Sequence, residues 1–188
     1  MPRSTPLRSS GLIVLGALAA LTVACGPNVA PAPAPAPTTT TTMTPSVTAP
    51  TPPTGPAPVV TGLVCPVAGA SYSDNYGPRG TGFHWGIDML KPAGTPVVAV
   101  RSGTVRFVAN EGAGGNVAYL TGGDTNVYQY AHLLDFVGVD RAVTQGTVIG
   151  HVGQTGNATT PHLHFEIRIA NINGVRVDPY PTLRATAC

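Results

Sequence analysis

The second half of the chain is written in short apolar and β-branched runs separated by glycine turns. Thr95–Val100, Gly103–Val108, Asn116–Thr121, Asn126–Ala131 and Val148–Val152 each run five or six residues. Gly112 to Gly115 and Gly122-Gly123-Asp124 punctuate them. The run from Asn126 to His132 alternates well enough for a half-buried strand. No stretch keeps an apolar 3.6-residue period over ten residues, so no long helix is expected. The pattern predicts an all-β domain, an antiparallel β-sandwich or open barrel. Aromatic residues are few, so its core should be mostly Val, Ile, Leu and Ala. Gly69 to Trp85 shows no regular pattern and is expected to be a substrate-facing loop.

The chain before this domain has two other compositions. Residues 1–25 read as a signal peptide, with Arg3 and Arg8 ahead of an apolar stretch from Gly11 to Ala24. Fourteen residues are too few for a membrane span, which needs about 20. The stretch ends Leu21-Thr22-Val23-Ala24-Cys25, which resembles a bacterial lipobox. Cys25 would then become the lipid-bearing first residue of the mature protein, anchored at the outer face of the bacterial cytoplasmic membrane. Thr22 departs from the usual aliphatic residue there. The plainer alternative is secretion without a lipid. Residues 26–58 hold eleven prolines among Thr and Ala, with no charge and no aromatic ring. Such a segment cannot bury a core and favours extended polyproline II, reaching roughly 100 Å at full stretch. It reads as a disordered linker.

Residues 59–188 form one domain, long enough for its own core. All eight acidic residues lie here beside eight Lys and Arg, so the domain is formally neutral. The net charge of +2 comes from Arg3 and Arg8, and no basic footprint for nucleic acid exists. With Cys25 reserved for lipid, Cys65 and Cys188 remain, and an exported chain lives where disulfides persist. A Cys65–Cys188 bridge is expected. The alternative is two buried thiols.

The chemistry sits in five histidines, two of them in Pro161-His162-Leu163-His164-Phe165. Residues two apart on a strand share a face, so His162 and His164 point one way, Leu163 and Phe165 the other. A second cluster reads His84-Trp85-Gly86-Ile87-Asp88. Imidazoles with a carboxylate are a ligand set that zinc(II) takes. A straight strand would hold residues 84 and 88 about 13 Å apart. A bend at Gly86 is therefore expected, in a loop entering a strand near Asp88.

His84-x-x-x-Asp88, Tyr130-Ala131-His132-Leu133 and His162-Leu163-His164-Phe165-Glu166 resemble the motifs of the lysostaphin and LytM-type zinc endopeptidases, metallopeptidase family 23. Gly94-Thr95-Pro96-Val97, Gly103-Thr104-Val105 and Ile149-Gly150-x-Val152-Gly153-x-Thr155-Gly156 are similar to that family as well. The resemblance runs from about Tyr72 to Ile169. It implies a duplicated hybrid motif fold, one Zn(2+) per chain held by His84, Asp88 and His164, and catalytic roles for His132 and His162. It implies hydrolysis of peptide cross-links in bacterial cell-wall peptidoglycan. Tyr76, in the loop before His84, falls where the family often has an oxyanion-stabilising tyrosine.

The chain has no H-E-x-x-H motif, so histidine must serve as the general base unless the metal suffices. Whether His132 or His162 takes that role stays open. Glu166 either orients a ligand or is an ordinary solvated residue. Asn116 is a binding or structural candidate, Arg79 is expected at the rim, and His151 on the surface. The competing reading is a regulator or activator of a cell-wall amidase on the same fold. Such relatives usually lack one of the histidines or the aspartate, whereas all five positions are filled here.

Overall fold

The computed structural model describes residue 55, residues 58–186 and residue 188, so the signal, Cys25 and nearly all of the linker lie outside the described residues. Thirteen strands follow in order. They are β1 (Ser71–Asp74), β2 (Gly77–Arg79), β3 (Gly82–His84), β4 (Ile87–Leu90), β5 (Pro96–Val98) and β6 (Gly103–Val108). Then come β7 (Val117–Gly122), β8 (Val127–Ala131), β9 (Leu133–Phe136), β10 (Arg141–Val143), β11 (Val148–Val152), β12 (His162–Arg168) and β13 (Arg176–Val177). A 3-10 turn lies at Gly112–Gly114, and one short α-helix, α1 (Tyr180–Arg184), follows the last strand.

An eight-stranded sheet runs β1-β4-β12-β8-β7-β6-β10, with β13 also paired to β12. A three-stranded sheet runs β5-β11-β9, and β2 and β3 form a hairpin. Every pairing is antiparallel. The domain is therefore the antiparallel β-structure that the alternation predicts. Both larger sheets feed one core. Val105, Leu120, Tyr128, Tyr130, Leu163 and Phe165 come from the first, and Val97, Leu133, Ile149 and Val152 from the second. Aromatics count for more in it than their number suggests, since Tyr128, Tyr130 and Phe165 are among its largest side chains. The Tyr130 hydroxyl stays satisfied by accepting the Val100 N–H at 2.9 Å.

The segment from Gly69 to Trp85 departs from the loop that the sequence predicts. It holds β1, β2 and β3. These strands have three or four residues, too few for alternation to show, and β1 finds its partner β4 in the tertiary structure. The five-residue helix α1 escapes periodicity for the same reason. Cys65 and Cys188 are joined, with Cα atoms 4.9 Å apart, tying the start of the domain to its end.

Strand β12 is what positions the site. It lies between β4 and β8, with His164 opposite Asp88 on one side and Ala131 on the other. Leu163, Phe165 and Ile167 go wholly into the core. Each such burial contributes about 1.5–3 kcal/mol, which holds the opposite face in register.

Candidate metal centre

Strand alternation puts His162, His164, Glu166 and Arg168 on the face of β12 that floors a cavity of about 760 Å³. Asp88 on β4 meets His164 by register, and His84 arrives at the end of β3. Gly86 lies between them for a reason other than backbone freedom. A Cβ there would sit 2.7 Å from His164 Nε2 and 2.5 Å from the Phe165 carbonyl oxygen. The absent side chain lets the loop pass directly over β12.

Three acceptor atoms converge. Asp88 Oδ1 lies 3.1 Å from His84 Nε2 and 2.9 Å from His164 Nδ1, and those two nitrogens are 2.9 Å apart. The outer nitrogen of each imidazole has its own acceptor. His84 Nδ1–H donates to the Asn75 carbonyl at 2.9 Å, and His164 Nε2–H donates to Glu166 Oε1 at 3.3 Å. These partners assign the tautomers and leave both lone pairs pointing inward. Two lone pairs and a carboxylate facing one another repel unless a cation or proton lies among them. The donor set, two imidazoles and one carboxylate with room beside them, fits zinc(II) with an open position.

The electrostatics agree. Burial pushes the Asp88 carboxyl up, but a proton shared with the His164 and His84 imidazoles outweighs it and holds the carboxyl well below its ordinary range. Burial pushes His164 down, but Asp88 and Glu166 overcome this and raise it to about 9. A proton therefore competes with a cation for this centre. Glu166 is also held below its ordinary range, because His164, Arg168 and Arg176 outweigh its burial. Its Oε2 accepts from Arg168 Nε at 3.1 Å and Arg176 Nε at 2.9 Å. Glu166 is thus no solvated bystander. It is 6% exposed and orients the His164 ring.

His132 and His162 stand beside this group. His162 Nδ1–H donates to the Thr160 carbonyl at 2.8 Å, which leaves Nε2 free, 3.6 Å from Asp88 Oδ1. His132 Nδ1–H donates to the Thr155 carbonyl at 2.9 Å, and the two rings lie 4.7 Å apart between centroids. Burial pushes His132 down to about 4, so its ring is neutral at neutral pH. Its backbone is left-handed, with φ of 62°. On β8, Tyr128 and Tyr130 face the core while Gln129 and Ala131 line the cavity. Continued alternation would send residue 132 into the core. The left-handed turn brings its ring to the cavity instead, at a cost of about 1–3 kcal/mol that the surrounding bonds sustain.

Other expected residues take varied places. Tyr76 is not brought to the ligand group. Its hydroxyl donates to the Arg176 carbonyl at 3.0 Å, and its ring packs edge-on against Phe83 and Trp85. Arg79 lies at the rim, bonded to Asp74 and 3.4 Å from Asp88 Oδ2. Asn116 is structural, with its N–H on Thr155 Oγ1 at 2.9 Å. His151 pairs with Asp135 on the surface at 2.7 Å. The sequence motifs do not reveal Arg168, Arg176 and Gln129, or the carbonyls of Asn75, Thr155 and Thr160. The side chains carry only the faint signal of alternation beyond Glu166. The carbonyls carry none, since any residue has one.

Such a His/Asp/His group beside two further imidazoles is an arrangement that could hold a metal ion next to groups able to move a proton. Residues 82–179 match the family pattern of peptidase family M23, and the chain belongs to that family. DD-carboxypeptidase/endopeptidase Mpg of Neisseria meningitidis is 43% identical over 96 residues, 51% of this chain and 22% of that protein. Peptidoglycan DD-endopeptidase ShyC of Vibrio cholerae is 36% identical over 97 residues, again 51% and 22%. The catalytic domain of the antimicrobial peptidase lysostaphin from Staphylococcus simulans superposes with a TM-score of 0.57 at 34% identity, over 61% of this chain and 92% of that domain. The matched region spans about a fifth of these curated relatives.

Proposed function

We propose that the chain is a zinc-dependent endopeptidase that hydrolyses peptide cross-links of bacterial cell-wall peptidoglycan. We place it in the cell envelope, held to the outer face of the cytoplasmic membrane by a lipid on Cys25, with residues 26–58 as the stalk. One observation carries the reading. His132 and His162 each have Nδ1 engaged by a backbone carbonyl and Nε2 free, in the same cavity as the His84, Asp88 and His164 group. A purely structural zinc site has no use for two such imidazoles. The names of Mpg and ShyC, both endopeptidases, support the same reading.

His84 Nε2, Asp88 Oδ1 and His164 Nδ1 would hold the zinc. When bound, it supplies a Lewis acid that polarises a carbonyl and lowers the pKa of water to about 7. The other tasks belong to the chain. Glu166 keeps the His164 ring turned so that Nδ1 faces inward. The Thr160 and Thr155 carbonyls hold His162 and His132 in the tautomer whose Nε2 accepts a proton. One of the pair takes the proton of the attacking water, and the pair returns one to the leaving amine, steps worth about 10²–10⁴-fold each. Tyr76 has no part in this scheme.

The test is digestion of purified peptidoglycan by the zinc-loaded full chain, with products identified by mass. Cross-linked dimers should fall to monomers through cleavage of a peptide bond. Intact dimers after exposure to fully loaded protein would refute the reading and favour an amidase activator. Detergent partition of the full chain and of Cys25→Ala tests the anchor, since only the former should enter the detergent phase.

A further inference from the structure

Three arginines line the cavity, and they differ in what their nitrogens do. Arg168 is fully engaged. Its Nε bonds Glu166, its Nη1 donates to the Ile172 carbonyl at 2.8 Å, and its Nη2 reaches both Gln129 and Glu166. Arg79 is neutralised by Asp74 and Asp88. Arg176 is held but not used up. Its Nε donates to Glu166 Oε2 at 2.9 Å, and its guanidinium lies over the Trp85 ring, 5.4 Å from the centroid. Neither Nη has a protein partner among the described residues, and the side chain is 27% exposed.

A guanidinium fixed at Nε and on one face, with both Nη groups open, is a preorganised fork for a carboxylate. It loses little rotamer freedom on binding, because Trp85 and Glu166 already set its plane. Glu166 is shared between Arg168 and Arg176, so neither guanidinium takes its whole charge. Position then limits the ligand. Glu166 lies two residues beyond His164 on β12, roughly 7 Å along the strand. A carboxylate on Arg176 thus falls within a residue or two of a peptide bond held at the metal centre.

We propose that Arg176, braced by Trp85 and Glu166, determines specificity by binding a free carboxylate on the substrate residue next to the scissile bond. The proposal rests on the endopeptidase reading and narrows it. In a direct cross-link from D-alanine to a diamino acid such as diaminopimelate, the acylated nitrogen sits on a carbon that bears a free carboxylate. A glycine bridge offers no charge there and leaves the fork unpaired.

The experiment uses the zinc-loaded full chain and a pair of diaminopimelate tripeptides, the product half, with that carboxylate free or amidated. Equilibrium binding is measured, and hydrolysis of the corresponding cross-linked dimers is followed separately. The wild type should bind the free acid about 10–100-fold more tightly than the amide, the scale of a charge-assisted hydrogen-bonded pair. Arg176→Gln should bind both alike while keeping its zinc, because Arg168 still holds Glu166. Arg176→Lys keeps a charge beside Glu166 without the planar fork. It should melt like the wild type and show a reduced preference. Equal affinities in the wild type, or an undiminished preference in either variant, would overturn the proposal. A preference abolished by Arg176→Gln, with neither dimer cleaved, would uphold the carboxylate site and refute the endopeptidase reading. Cleavage of both dimers with equal affinities would do the reverse.

Discussion

The two faces of β12 are separated by one strand's thickness and obey different rules. Leu163, Phe165 and Ile167 are wholly buried, and no side-chain polar atom directs them. His162, Glu166 and Arg168 are nearly as buried, at 8%, 6% and 9% exposure, yet named bonds hold each one. The core face is specified by volume, and swaps of similar shape should cost it little. The cavity face is specified by direction and by matched partners, so even an isosteric change alters its chemistry. Neighbouring residues should therefore fail in different ways.

The largest separation is expected from His164→Ala. It removes an inward lone pair, so bound zinc and hydrolysis should disappear together while the core face keeps the fold. Elemental analysis and circular dichroism on the same sample check this, and full zinc occupancy in the variant would break the ligand assignment. Next come His162→Ala and His132→Ala. Both should keep zinc and lose about 10²–10⁴-fold in hydrolysis, the usual contribution of a general acid or base. Loss of zinc from His162→Ala, with retention in His164→Ala, would reverse the two roles.

Phe165→Ala tests the other face. It should lower stability by about 3–5 kcal/mol, as a large cavity in a packed core does. Denaturant melts measure this, and the fraction that stays folded should still carry one zinc per chain. A folded but metal-free variant would show that the two faces are less independent than their bonding suggests. The smallest effect is expected from Glu166→Gln. It keeps the volume and leaves the core face untouched, while weakening the orientation of His164 and the ion pairs with Arg168 and Arg176. Zinc affinity should fall about 10–100-fold, the scale for an acceptor behind a metal-bound histidine. Competition with a chelator of known affinity reads it. Unchanged affinity would mean that Glu166 serves the two arginines and not the metal.

Much of this centre is legible in the amino-acid sequence. Two histidines two apart, with apolar residues between and after them, can sit on one face of a strand only one way. The antiparallel β-class follows from glycine-punctuated runs, and the pairing of Cys65 with Cys188 from counting. The shared face and the β-class are local properties, set by backbone geometry within a few residues, whereas the cysteine pairing spans the domain and follows only from the number of cysteines. Other features depend on distant parts of the chain. The sequence suggests that Gly86 permits a bend, whereas its lack of a side chain matters because β12 crosses beneath it. The placement of His132 rests on a left-handed turn that interrupts the alternation of β8. Tyr76 is expected beside the metal and instead braces the wall that carries Arg176. The tautomers of all four site histidines depend on three backbone carbonyls and one carboxylate. Residue type along the chain determined which groups can ligate, accept a proton or fill a core. Direction, tautomer and spare hydrogen-bonding capacity arise from packing between segments far apart in sequence, so only the tertiary structure decided them.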